Sequence, residues 1–159
     1  MDEAQRAAFL ERFRKRDEEA LLGFAVLGGV FGEGVDLTGD SLIGAAIVSP
    51  GLPQIGPRQE QLRDYFEKTR GTGFDYAYRY PGMNKVLQAA GRVIRTPKDR
   101  GVVLLIDDRF AAPDTRRLMP PHWEHLKTVD SAQALTAELE RFWGREAFPE
   151  GEAVSGPAR

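Results

Sequence analysis

Three apolar runs punctuate the chain: LLGFAVL at 21 to 27, LIGAAIV at 42 to 48 and GVVLLI at 101 to 106. Each is continuous rather than alternating, the pattern of a strand covered on both faces, as in a parallel sheet with helices on either side. Between the second and third runs the period changes. PRQEQLRDYFEKT (57 to 69) and PGMNKVLQAAGRVIR (81 to 95) space their apolar residues as helices do, and each opens on a proline suited to the first turn. The alternation predicts an α/β fold with a mainly parallel sheet flanked by helices. Residues 2 to 18 read as a further helix, with Phe9, Leu10 and Phe13 as its narrow docking face. SAQALTAELERFW (131 to 143) reads as a closing helix capped at Asp130 or Ser131. GLPQIGP (51 to 57) and GTG (71 to 73) are loops, and the Gly, Pro and Glu content from Arg145 onward predicts a disordered tail over 145 to 159.

At 159 residues, 42% of them hydrophobic, the chain can bury the core of one domain, assigned to residues 1 to 144. The absence of cysteine excludes a disulfide framework, a thiolate zinc site, an iron–sulfur cluster and a cysteine nucleophile in this chain. No apolar run approaches the ~20 residues that span a bilayer, and MDEAQRAAFLERFRKR is charged throughout, unlike a signal peptide. The reading is a soluble cytoplasmic protein without membrane contact. A net charge of −2 gives no global attraction to nucleic acid, yet residues 79 to 100 hold Arg79, Lys85, Arg92, Arg95, Lys98 and Arg100 against Asp99 alone.

That local charge has a pattern. Projected at 100° per residue, Val86, Leu87, Ala90, Val93 and Ile94 fall on one side of the 81 to 95 helix, and Asn84, Gln88, Gly91, Arg92 and Arg95 on the other. A glycine inside a helix costs ~1 kcal/mol relative to alanine, and on the polar stripe no core packing demands it. Something approaching the backbone there would explain it. Arginine is always charged and forked, so two arginines beside such a gap suit phosphate oxygens. An anionic partner is the inference, against a plainly solvated face.

GGVFGEGVDLTG (28 to 39) places five glycines in twelve positions. It is no dinucleotide fingerprint, because the next strand begins near Leu42 and leaves no room for the helix whose N-terminus must face the pyrophosphate. It is either a turn or a loop against a ligand, with Glu33 and Asp36 able to reach a ribose, a metal or a partner's arginine. In VVLLIDD (102 to 108) the paired acids imitate a metal-holding strand end, but with no phosphate cradle in the chain they read as solvated carboxylates. His122 and His125 are two histidines without a cysteine, too few for a metal site. FDYAYRY (74 to 80) alternates aromatics beside Arg79, a pattern that serves packing or the stacking of unpaired bases.

Taken together, GEGVD (32 to 36) and QAAGRVIR (88 to 95) resemble motifs V and VI (QxxGRxxR) of superfamily 2 helicases, and within them the XPD/DinG-like DNA helicases. SPGLP (49 to 53), the run from Tyr80 to Arg95, DRGVVLLIDDRF (99 to 110) and LMPPHW (118 to 123) extend the resemblance over roughly residues 20 to 125. It implies a partial second RecA-like domain, three-layered, α/β and incomplete at the N-terminus, which faces a first RecA-like domain across an ATP and Mg2+ site and contacts single-stranded DNA. By the same resemblance Arg92 and Arg95 approach the γ-phosphate, at least one as an arginine finger, Gln88 bonds near that phosphate or the attacking water, and Gly91 allows close approach. Glu33, Gly34 and Asp36 would couple the nucleotide cleft to the DNA track.

The chain departs from the family pattern in lacking GxxxxGK[ST] and the acidic motif that follows it, and in carrying Gly32 where a hydroxyl is common. The expectation is a fragment, inactive alone, of an ATP-dependent DNA helicase. The alternative is a stand-alone nucleic-acid or protein interaction module with no ATPase role.

Overall fold

The computed structural model describes residues 2–15, 20–29, 31, 37 and 39–144. Two compact units divide the chain after Met119.

In the first unit, helix α1 (Glu3–Arg14) starts at a reciprocal cap: Asp2 accepts from the Gln5 backbone N–H at 2.8 Å and the Gln5 side chain accepts from the Asp2 N–H at 3.0 Å. Phe9, Leu10 and Phe13 are its half-buried apolar face, as the spacing predicts, and the Phe9 and Phe13 rings close over Gly23. Helix α1 ends at Arg14; the last residues of the predicted helix, 16 to 18, lie outside the described residues.

Strands β1 (Gly44–Val48) and β2 (Val102–Ile106) pair in parallel, from Gly44 opposite Val102 to Val48 opposite Ile106. The connection carries α2 (Pro57–Arg70), a five-residue π-helical turn (Asp75–Arg79) and α3 (Tyr80–Ala90). Parallel strands require such a crossover. Helix α2 ends on Gly71 at φ 68°, where the left-handed cap suits glycine. The hairpin that follows is tied by side chains: Gln59 donates to the Ala77 carbonyl at 2.7 Å, and the buried Tyr78 hydroxyl donates to Glu60.

Helix α3 supplies the largest fully buried side chains, Met83 and Val86. Met83, Val86 and Ala90 are buried on one stripe, with Val93 continuing it just past the helix, and they join Ala77, Ile47 and Phe110. Fully burying a side chain such as Met83 or Val86 contributes roughly 1.5–3 kcal/mol. The register sorts the sheet into two faces. Ala45, Ile47, Val103 and Leu105 share one, on which Ile47 is buried; Ala46, Val48, Leu104 and Ile106 share the other, where Val48 is 68% and Ile106 50% exposed.

The first apolar run is not a strand. Residues 20 to 26 are irregular, and Leu22, Phe24 and Val26 are 77%, 87% and 79% exposed. A strand needs a neighbour for its N–H and C=O groups, and among the described residues none pairs with this segment. The 81 to 95 helix is also shorter than its pattern predicts, ending at Ala90.

Among its described residues the second unit holds a 3₁₀ turn (Pro121–Trp123) and α5 (Ala132–Trp143), capped by Ser131, whose Oγ accepts from the Ala134 N–H at 3.2 Å. Residues 145 to 159, the predicted tail, lie outside the described residues. Among the described residues no helix is long and apolar enough to cross a membrane.

One close contact in the first unit fixes where α3 begins. A Cβ on Gly82 would stand 2.6 Å from the Pro50 carbonyl oxygen and 2.9 Å from Leu52 Cδ2. Gly82→Ala is therefore expected to lower the unfolding free energy by about 1–3 kcal/mol, measured from urea denaturation midpoints. An unchanged midpoint would refute this packing.

Candidate functional site

The stripe opposite the α3 core is polar and open. Asn84, Gln88 and Gly91 are exposed, and Arg92 and Arg95 are half-buried. The helix tightens as it closes: the Gly91 N–H still reaches the Leu87 carbonyl, but Arg92 and Val93 donate to Ala89 and Ala90, three residues back, each at 3.1 Å. Gly91 is thus the C-cap, at φ −66°, and not an interior residue. The cost of an interior glycine does not apply to it. What remains is the space: a Cβ there would meet only carbonyl oxygens of its own helix, Leu87 at 3.2 Å and Gln88 at 3.7 Å. Among the described residues, nothing from another element lies within 4 Å of that position.

Two contacts stop the helix. Val93 Cγ1 lies 2.4 Å from where a Cβ on Gly101 would be, so the chain after Arg92 is held against the start of β2. Asp99 then takes the backbone N–H groups of Arg95 and Thr96, at 2.8 and 2.7 Å. Hydrogen bonds from the Arg95 and Thr96 backbones hold the Asp99 carboxyl below its ordinary range. Arg95 therefore stands on a side-chain-capped turn, and its place is set by Asp99 and not by helical periodicity. Gln88 lies in the last turn of α3, Gly91 caps it, and Arg92 and Arg95 follow on the turn beyond. Glu33, Gly34 and Asp36 lie outside the described residues.

A second cluster, not foreseen from the sequence, occupies the carboxyl ends of the two strands. Asp107, which follows β2, accepts from Arg109 three times: backbone N–H at 2.9 Å, Nε at 2.8 Å and Nη2 at 2.7 Å. These bonds, the side-chain pair foremost, push the Asp107 carboxyl far below the usual carboxylate range. It is a sequestered partner of Arg109 and not the solvated or metal-facing acid that VVLLIDD suggests. Arg109 Nη2 also donates to Ser49 Oγ at 3.1 Å, across sixty residues. Ser49, at the end of β1, has φ 73°, a conformation that costs a residue with a Cβ roughly 1–2 kcal/mol. DDRF in the sequence was the available signal, but nothing there points to Ser49.

The aromatics of FDYAYRY stack on one another with helical spacing. Phe74 lies over Tyr78 at 5.4 Å, Tyr76 meets Tyr80 edge-on at 5.0 Å, and Tyr76 stacks on Phe66 of α2 at 4.1 Å. Arg70 covers the latter pair and donates to the Tyr76 hydroxyl at 2.9 Å. Their alternation is that of a helical hairpin, so packing takes most of this surface. His122 and His125 are both exposed. No group of three or more potential ligands assembles a metal site among the described residues.

The arrangement can present positive charge and hydrogen-bond donors to an anion over an uncovered stretch of backbone, on a parallel α/β scaffold. Residues 1–126 match the helicase C-terminal domain family, and the chain belongs to it. It is 31% identical over 158 residues to the regulator of telomere elongation helicase 1 of Bos taurus, covering 90% of this chain and 13% of that protein. It is 35% identical to the ATP-dependent DNA helicase chl-1 of Caenorhabditis elegans (67% of this chain, 13% of the relative) and 32% identical to the ATP-dependent DNA helicase YoaA of Haemophilus influenzae (68% and 16%). The chain thus spans less than a fifth of each of these relatives. The small parallel sheet with its surrounding helices agrees with a partial RecA-like α/β domain.

The Asp99 cap has a pH signature. A carboxylate whose folded pKa is depressed stabilises the fold above its ordinary pKa of about 3.9, and that contribution is lost as the pH falls through the lower folded value. The urea midpoints of the chain and its Asp99→Ala variant should differ at neutral pH and converge as the pH falls from about 4 toward 2. A gap that stays constant over that window would mean that the carboxylate does not cap the turn.

Proposed function

We propose that this chain is the C-terminal motor half of an ATP-dependent DNA helicase, supplying the charged wall of an ATP and Mg2+ site whose phosphate cradle belongs to a first RecA-like domain. The observation that carries the reading is the end of α3: an exposed Gln88, a C-cap glycine with no other described element within 4 Å of an added Cβ, and two arginines on the turn that follows. The family and the named activities of the relatives support it. The donor set fits an anionic ligand, since guanidinium groups and a carboxamide offer N–H donors suited to phosphate oxygens.

In phosphoryl transfer little covalent work falls to the protein, and positioned cations supply most of the stabilisation. When bound, the triphosphate provides the bond that breaks, and the chain's own residues do the rest at its edge. Arg92 offers its forked donors to the γ-phosphate oxygens where negative charge develops. Arg95, held by the Asp99-capped turn, adds a second cation. Gln88 donates to the same oxygens or orients the attacking water, and Gly91 lets the phosphate approach the backbone. Glu33, Gly34 and Asp36 couple this edge to a single DNA strand. The sheet face on which the paired Val48 and Ile106 are both exposed supports a domain completed by further polypeptide, because an exposed apolar patch marks an interface.

In the full-length protein, Arg92→Ala is expected to lower DNA-stimulated ATP turnover by about a thousandfold, with nucleotide affinity reduced only about twofold to fivefold. Arg95→Ala should act in the same direction, and the isolated chain should hydrolyse no ATP. Steady-state turnover and equilibrium nucleotide titration separate the effects. Unchanged turnover in both variants would overturn the assignment and leave an interaction module as the better reading.

A further inference from the structure

The cluster at the strand ends does work that the proposed function leaves unassigned. Ser49 is strained in the left-handed region, and among the described residues it is the single non-glycine with positive φ. Arg109 reaches it with Nη2 while its Nε and Nη2 hold Asp107, and the Ser49 N–H donates to the Ile106 carbonyl at 3.2 Å. The turn is therefore fastened to β2 through both backbone and side chain.

Its other side meets α3. The Pro50 carbonyl oxygen abuts Gly82, at a distance that admits no Cβ, and Lys85 Nζ donates to the Gly51 carbonyl at 3.3 Å. Lys85 lies one helical turn before Gln88. A continuous set of contacts thus runs from Asp107 through Arg109, Ser49 and Gly51 to the helix that ends in the arginine turn.

We propose that Arg109 is a positioning residue for that turn: by tying Ser49 to Asp107 it keeps the 49 to 51 turn in its left-handed form, and the turn sets the placement of α3 and hence of Gln88 and Arg92. Arg109 touches neither nucleotide nor DNA in this role. Its planar fork is what the task requires, because two parallel donors satisfy the carboxylate while one nitrogen still reaches the serine hydroxyl. The consequence for catalysis rests on the function proposed above; the consequence for α3 does not.

Two measurements separate them. On the 159-residue chain, hydrogen–deuterium exchange of the α3 amides from Gly82 to Gly91 should quicken about tenfold in Arg109→Gln. It should return close to the parent rate in Arg109→Gln/Ser49→Gly, since glycine takes φ 73° with no clamp. In the full-length protein, Arg109→Gln should lower kcat for ATP about tenfold with KM and single-strand affinity within about twofold, and the added Ser49→Gly should recover most of the loss. Should Arg109→Gln fail to fold, Ser49→Ala, which keeps the strain and loses the hydroxyl, should show faster exchange and lower kcat than Ser49→Gly; equal behaviour of the two would overturn the proposal.

Unaltered exchange in Arg109→Gln would overturn it as well. So would a loss of kcat that Ser49→Gly does not rescue and that comes with weakened single-strand binding, because Arg109 would then touch DNA itself. Arg92→Ala serves as the reference: if it leaves turnover intact, the functional reading fails whatever Arg109 does. If Arg92→Ala abolishes turnover while Arg109→Gln is silent in both measurements, the positioning role alone fails.

Discussion

The burial of one stripe of α3 is the constraint from which the rest follows. Met83, Val86, Ala90 and Val93 face the core together, and a helix is rigid enough that burying one side dictates what the other presents. Asn84, Gln88 and Gly91 are exposed because Val86 and Ala90, between them in sequence, are buried on the opposite side. The polar stripe needs no separate mechanism to face outward. Removing the apolar stripe would cost both the core and the direction in which the candidate site points.

The end of that helix is equally determined, by contacts from outside it. Val93 is trapped against Gly101, and Asp99 takes the N–H groups of Arg95 and Thr96. Continuing in α-helical form would pull Val93 off Gly101 and leave Asp99 without its donors. The two arginines consequently occupy different settings: Arg92 on the last tightened turn, Arg95 on a loop pinned by a carboxylate. Two cations on unlike supports can approach one phosphate from different directions, which a single straight helix cannot arrange.

Much of this was legible in the sequence, for identifiable reasons. Strands β1 and β2, helix α2 with Pro57 at its start, and the Ser131 cap of α5 all rest on local signals, and local signals were enough. The polar stripe of α3 was legible for the same reason, being a matter of period. The segment 21 to 27 shows the limit of that reasoning. Its apolar residues suit a strand, but a strand is a property of a pair, and no described neighbour supplies the other half. The early end of α3 depends on Gly101, eight residues beyond Val93 in sequence, and the Ser49 to Arg109 bond spans sixty; neither leaves a periodic trace. Gly91 closes the helix instead of interrupting it, because the turn after Ala90 tightens in answer to contacts that the 81 to 95 periodicity does not encode.

The same contrast bears on what the site can do alone. Near Gly91 the chain offers donors and positive charge, and its sequence contains no phosphate cradle to surround a triphosphate. Arg92 and Arg95 are half-buried at this edge, and the surrounding medium sets what their charge is worth: a pair of unit charges 4 Å apart interacts by only about 1 kcal/mol in water, against about 4 kcal/mol near an effective dielectric of 20. A facing wall that excludes solvent would raise the worth of Arg92 and Arg95 without moving either. On the function proposed, this chain contributes the part whose strength depends on being covered.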